Sequence, residues 1–348
     1  MARILERIEQ ARPYWEAYWR GDVPMLCAGF PRDPANPVPK PALGITRKTD
    51  IAALADSLVK WADANEFLGG AFPFYCVYLF DVYNQTAELL GGKVEECGDS
   101  HGMIPFIDDL DTAELTIDLH SPTAKRLSSI VHQLRERCGD SLLISASAIG
   151  GNLDTLEAAR GSFQLLLDLN DNPAGVHRCL KQVDDAAAQL LDFHAELYDF
   201  EAFGSICRHG MYSRGKVGVP QCDFGYMIGP HHFAEFALPY LRREFARLDG
   251  VCYHLDGLGN LPNLDVLCRE PDLHLIQWVP GAGHEKEDWS QLSERIDELG
   301  KGMMRGGTIA TFEQWYDTHK APCQYWSVYA KSPDEISACL TNLGVVCS

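Results

Sequence analysis

The chain has 348 residues, 46% of them apolar and 23% charged, enough to bury a large core and too apolar for a disordered chain. Its net charge of -19, from 49 acidic against 30 basic residues, would repel nucleic acid and anionic lipid, and no Lys/Arg run breaks the pattern. No apolar run approaches the roughly 20 residues that a membrane span needs. The opening MARILERIEQARPYWEAYWR is charged throughout and does not read as a signal peptide. Most of the 12 cysteines sit in apolar stretches such as LCAGF, FYCVYLF and GVCYHL, and none forms C-x-x-C. They read as buried, unpaired thiols of a reduced, cytoplasmic protein.

Residues 3–19 have helical spacing through Ile4, Ile8, Trp15 and Trp19, with an interruption expected near Pro13. PMLCAGF (24–30) reads as a strand. The breaker-rich FPRDPANPVPKPALG that follows is either a lid over a site or an irregular arm. Thr49 and Asp50 open a helix over 51–64. FPFYCVYLFDVYN (72–84) is the most strand-like run and ends in Asp81 and Asn84. A short strand at 93–96 and a loop containing His101 come next. Ser121 and Pro122 start a capped helix over 121–140. SLLISASAIGGNLDTL is a strand running into a Gly-Gly turn, which puts Asn152 and Asp154 at its carboxyl end.

The longest helix, 173–199, repeats through Val176, Leu180, Val183, Ala187, Leu190 and Leu197. Strands at 204–207 and 217–222 flank a glycine-rich loop, and a helix at 230–248 follows. Asp223 lies just past the second of these strands. Apolar strands at 251–255 and 274–279 enclose helical spacing through Leu261, Leu264, Leu267 and Cys268, and each ends in a polar tip. A helix at 287–300, a short apolar piece at 308–310, a strand at 325–329 and a capped final helix complete the chain. Strands and helices alternate without a composition break. That predicts one α/β domain over 1–348, a single (β/α)8 TIM barrel with an N-terminal helical and irregular extension over 1–45. More than eight strand candidates leave the staves unassigned.

His254 and Asp256 are two apart at a strand end and point to the same side. They are either metal ligands, an acid/base pair in which the carboxylate orients the imidazole, or a polar tip bonding a loop. Asp223 is the third catalytic candidate; the alternative is a turn or cap. Gln277 and Trp278 are candidates for an amide contact and a wall to the substrate, or Trp278 is core. His209 sits on the glycine-rich loop and joins the substrate-binding candidates with Gln221 and Asn152; Asn152 and Asp154 face the pocket or cap the helix that starts near 153, capping being the favoured role for Asp154. GGN and GLGN lack the spacing of a dinucleotide fingerprint.

GGNLDTLEAARGSFQLLLDLNDNP, QCDFGYMIGPHHFAEFALPYLRR, and YHLDGLGN followed by LHLIQWVPGAG, in this order and spacing, resemble the uroporphyrinogen decarboxylase superfamily, and more closely its corrinoid-linked methyltransferase-type branch. The resemblance implies a (β/α)8 barrel with its site at the carboxyl ends of the strands. The chain departs from the true decarboxylases at three places. Their R-Q-A-G-R strand corresponds to MLCAGFPRD, with only Arg32 nearby. Their Phe-Ser-Asp motif resembles YLFDVYN with Asp81 one position early, and N-L-G-H-G has no counterpart near YWSVYAKSPDE. Uroporphyrinogen decarboxylation is therefore not expected.

The methyltransferase branch binds zinc through His-x-Cys and a late Cys, and the zinc activates a thiol. Here His254 matches, Asp256 replaces the Cys, and Cys323 begins its strand and would point away. The resemblance thus implies a methyltransferase that takes a methyl group from a small methylated or methoxylated compound and passes it to a corrinoid protein or similar acceptor. It would carry zinc or another divalent ion in an oxygen-richer site at His254 and Asp256. Alternatives are a metal-assisted or acid/base lyase on a small carboxylate, and a non-catalytic small-molecule or corrinoid-binding barrel. A homodimer is a further expectation from the fold family.

Overall fold

The computed structural model describes residues 2–82, 84–97 and 100–345. Its strands in chain order are β1 Met25–Pro31, β2 Asn65–Gly69, β3 Phe74–Cys76, β4 Lys93–Cys97, β5 Ser100–Ile104, β6 Leu143–Ser145, β7 Ser205–Ile206, β8 Tyr212–Ser213, β9 Val217–Gly218, β10 Gly250–Asp256, β11 Leu275–Val279, β12 Gly302–Thr308 and β13 Tyr325–Tyr329. Seven of them form the main sheet in the order β2-β1-β13-β12-β11-β10-β9. Every ladder in it is parallel except β1–β2. A second parallel ladder joins β3 to β6, and Ser145 Oγ donates to the Ile206 carbonyl at 2.5 Å, tying β6 to β7. Helices intervene between the parallel strands, as parallel pairing requires. The chain is thus an α/β protein built on a central, mostly parallel sheet. Among the described residues these ladders do not join into one closed ring.

The first helix, Ala2–Trp19, runs through Pro13 without a break. A proline inside a helix costs about 3 kcal/mol, and the expected interruption is overridden by what the helix buries: Ile4, Ile8, Ala11, Trp15 and Tyr18. This apolar row packs across the amino ends of the sheet. Tyr18 Oη donates to the Cys323 carbonyl at 3.0 Å and the Trp15 indole to the Gly70 carbonyl at 3.1 Å. With one end of the sheet closed in this way, the carboxyl ends are left for the site.

Other elements differ from the sequence expectation for local reasons. Among the described residues of the run 72–84, only Phe74–Cys76 is strand. Beyond it the chain leaves β6 and pairs with Ile45, whose amide donates to the Tyr78 carbonyl at 2.8 Å. The expected helix at 230–248 contains a π-helical turn, Phe233–Ala237, before Leu238–Ala246. Pro239 has no N–H and its ring clashes with a carbonyl one turn back, so the backbone widens by one residue there. The Pro-rich segment is an irregular arm anchored by Lys40 over the Phe74 ring at 4.0 Å. The ten cysteines whose side chains are described are free and buried, as expected. No described helix is long and apolar enough to cross a membrane.

Candidate functional site

The pleat of β10 puts His254 and Asp256 on one face, half-buried, between buried Tyr253 and Leu255. The amide of His254 donates to the Pro220 carbonyl at 2.9 Å, and Gln221 bridges His254 in parallel register. That alignment carries the chain past β9 to Asp223, which opens a 3-10 turn over Asp223–Met227. Asp154 secures the turn: its two oxygens accept the amides of Asp223 at 3.0 Å and Phe224 at 2.9 Å. Asp256 is followed by Gly257 at a φ of 76°, where a Cβ would stand 2.9 Å from the Tyr226 ring. Only glycine takes that bend without strain.

Three donor atoms, one each from Asp223, His254 and Asp256, therefore lie within 4.8 Å of one another. His254 Nε2 is 3.9 Å from Asp256 Oδ2. The other ring nitrogen, Nδ1, donates to Gln277 Oε1, its register partner on β11. This bond leaves the Nε2 lone pair facing two carboxylates, an arrangement that calls for a cation or a proton between them.

A second set of polar groups surrounds the three. Gln221 Nε2 donates to Asp223 Oδ2 at 2.8 Å, and Gln221 Oε1 accepts from Arg208 at 3.1 Å. Arg208 Nε donates to His209 Nε2 at 3.3 Å. Burial, and then the charge of Arg208, push the His209 imidazole down to about 4, so it is a neutral acceptor. Beneath them the fully buried Asn152 spans the Gln221 carbonyl (2.8 Å) and Glu244 Oε1 (2.7 Å). Burial raises the Glu244 carboxyl to about 8, against the lowering effect of that Asn152 bond. Burial followed by repulsion from Asp223 raises Asp154 to about 7. Burial also raises Asp223, with His254 opposing.

Two clefts meet at Asp223. One, of about 500 Å³, is lined by Asp223, Asp256, Gly257, Pro280 and His284. The other, of about 670 Å³, runs from Asp154, Arg208, Gln221 and Asp223 outward to Tyr78, Phe80 and Met227. His254, Asp256, Asp223, Gln277, Gln221 and His209 are thus brought together in one polar cluster. Asn152 supports it from below and caps the helix Leu153–Arg160, its Oδ1 accepting the Asp154 amide.

Trp278 is not brought to it. As the register partner of Leu255 it lies on the opposite face from Gln277, edge-on to Trp289 at 5.2 Å. Cys323 points its thiol at the Tyr18 carbonyl of the first helix, away from the cluster. Arg208, Glu244 and the role of Asp154 escape sequence reasoning; the one local hint is that Arg208 directly precedes His209.

The donor set is one imidazole and two carboxylates, with no thiol. It fits a hard or borderline divalent ion. Bonds of about 2.0–2.2 Å would need the donors roughly 3.3 Å apart, an inward movement that rotation of the Asp256 and Asp223 side chains can supply.

A methyltransferase from Methanosarcina mazei shares the fold, with a TM-score of 0.51 over 84% of this chain and 83% of that one, at 12% identity. At that identity the likeness concerns architecture. No protein-family model and no curated protein matches the sequence.

Proposed function

We propose that this chain is a methyltransferase of the uroporphyrinogen decarboxylase-like superfamily, taking a methyl group from a small methylated or methoxylated compound toward a corrinoid protein or similar acceptor. The observation that carries the reading is the convergence of Asp223, His254 and Asp256 beside a cleft of about 670 Å³, on a fold shared with a methyltransferase. The architecture in this reading is a closed (β/α)8 barrel, supported by the eight strands that enter parallel ladders.

Asp223, His254 and Asp256 would hold a divalent ion, which supplies Lewis-acid polarisation of the atom bearing the methyl group. Gln277 fixes the His254 ring through Nδ1 so that Nε2 faces inward. Gln221 holds the Asp223 carboxylate in the same orientation. The missing thiol ligand separates this centre from thiol activation and suits an oxygen- or nitrogen-bound methyl group. The test is conversion of cob(I)alamin to methylcobalamin with methoxylated and N-methylated donors, read by absorbance. The wild type should methylate with at least one donor class and His254→Ala should not. Saturable donor binding without turnover would instead identify a binding protein.

A second reading is acid/base lyase chemistry without a metal. The observation favouring it is Asp154, a cleft-lining carboxyl raised to about 7 and so able to give and take a proton near neutrality. Its mark would be full activity in chelator-treated protein.

A further inference from the structure

Between β7 and β9 the wall is held by a side chain rather than a ladder. Ser205 Oγ donates to the Gly215 carbonyl at 2.8 Å and accepts the Val217 amide at 2.7 Å. Among the described residues β7 pairs with β8, and β9 with β10. A further cavity, of about 80 Å³, lies between these strands and the helices Pro173–Leu197 and Leu238–Ala246. It shares Ser147, Ala148, Ile149 and Arg208 with the larger cleft, and that common edge puts its mouth on the cleft.

Away from this edge the chamber carries two polar groups that the metal centre does not use. His194 is 1% exposed, and neither of its ring nitrogens has a hydrogen-bond partner among the described residues. Burial pushes the imidazole down to about 3, so the ring is neutral, with one donor and one acceptor unmet. Glu244 is 9% exposed, and its carboxyl, raised to about 8 by burial, carries a proton at neutral pH. Oε1 accepts from Asn152 at 2.7 Å, and no described residue bonds the other oxygen. Buried polar groups are almost always bonded. Two left open on one cavity call for an occupant that the polypeptide does not supply.

The lining narrows the chemistry of that occupant. Ile149, Ala187, Leu191 and Ile206 form apolar walls, against which an ion is costly. The Glu244 O–H asks for a carbonyl, and the free imidazole nitrogen for an N–H. The volume is about half of the roughly 150 Å³ that holds benzene in an engineered protein cavity, which leaves room for three or four heavy atoms. We propose that this chamber is a second ligand site, taking a small neutral amide between Glu244 and His194. It is separate from the Asp223–His254–Asp256 centre and does not depend on the reaction assigned there.

The test is a titration at pH 6 of protein carrying 13C-labelled Ile, Leu and Ala methyl groups, followed by NMR at Ile149, Ala187 and Leu191. The probes are acetamide, acetone and acetate, which share one methyl–carbonyl frame and differ in a single group. The wild type should bind acetamide saturably, with a Kd of about 10 mM or tighter. Acetone lacks the donor and acetate brings a charge, so each should bind at least about tenfold more weakly. His194→Leu should lose the preference for acetamide over acetone, and His194→Gln, which restores a donor and an acceptor, should keep part of it. No saturable shift by about 100 mM acetamide, the result for a chamber that holds only water, overturns the proposal. So does binding of acetone or acetate as tight as that of acetamide, or an unchanged preference in His194→Leu. The wild-type series decides alone if the variants do not fold.

Discussion

Glu244→Gln isolates the energetic cost of burying a carboxyl beneath the site. Glu244 moves from an ordinary value of 4.5 to about 8, with burial as the leading cause. A carboxyl raised by folding binds its proton more tightly in the native state. Its contribution is fully present below about pH 4.5 and is lost as pH rises to about 8, because the unfolded chain releases the proton first. At about 1.4 kcal/mol for each pH unit, the window spans on the order of 5 kcal/mol, an upper bound that local relaxation reduces. Glutamine keeps the oxygen that accepts from Asn152 (2.7 Å in the wild type) and cannot ionise. Urea unfolding of both proteins at pH 5, 6, 7 and 8 reads the effect. The variant should gain on the wild type by about 2–4 kcal/mol between pH 5 and pH 8, most of it above pH 5. A difference that stays constant across that range refutes the argument, since it would mean Glu244 is already charged in the folded protein.

Asn152→Ala removes the donor shared by Gln221 and Glu244 and should cost about 2–4 kcal/mol through two buried acceptors left unpaired. Amide exchange should show the Gln221–Asp223 segment opening more readily than the rest of the chain. Trp278→Phe should leave metal and ligand binding unchanged, since the ring faces Trp289. Its stability should stay within about 1 kcal/mol of the wild type, because the lost area is offset by removal of a buried indole N–H that has no partner. A large loss of ligand affinity in this variant would place Trp278 in the cleft after all.

Much of the site was legible because strand geometry is periodic. His254 and Asp256 share a face by the two-residue repeat, and Gln277 joins them because β11 pairs with β10 residue for residue. Asp223 could be reached from its position just past a strand. Of the two readings open for Trp278, substrate wall or core, the strand register favours core: adjacent to Gln277, it points the other way. What periodicity cannot supply is contact between distant segments. Asp154 looked like a cap for its own helix, yet Asn152 holds that place while Asp154 reaches 69 residues ahead to the Asp223 amide. Arg208 lies in a loop whose path is set by tertiary contacts such as the Tyr325 hydroxyl on the His209 carbonyl at 2.9 Å. At the fold level, alternation was enough to predict an α/β chain with parallel strands. The weak points were single prolines, Pro13 and Pro239, where tertiary burial and a widened turn overrode local preference.

The most direct test of the Asp223–His254–Asp256 centre is the divalent metal content of the purified chain, measured by elemental analysis after equilibrium dialysis against zinc or manganese. The variants are His254→Ala, Asp256→Ala and Asp223→Asn, with Cys323→Ser as a control. The account predicts close to one ion per chain in the wild type and in Cys323→Ser, and loss of the ion in each of the other three. A wild type that holds no ion, or variants that all retain it, would contradict the claim that these three side chains form a metal centre.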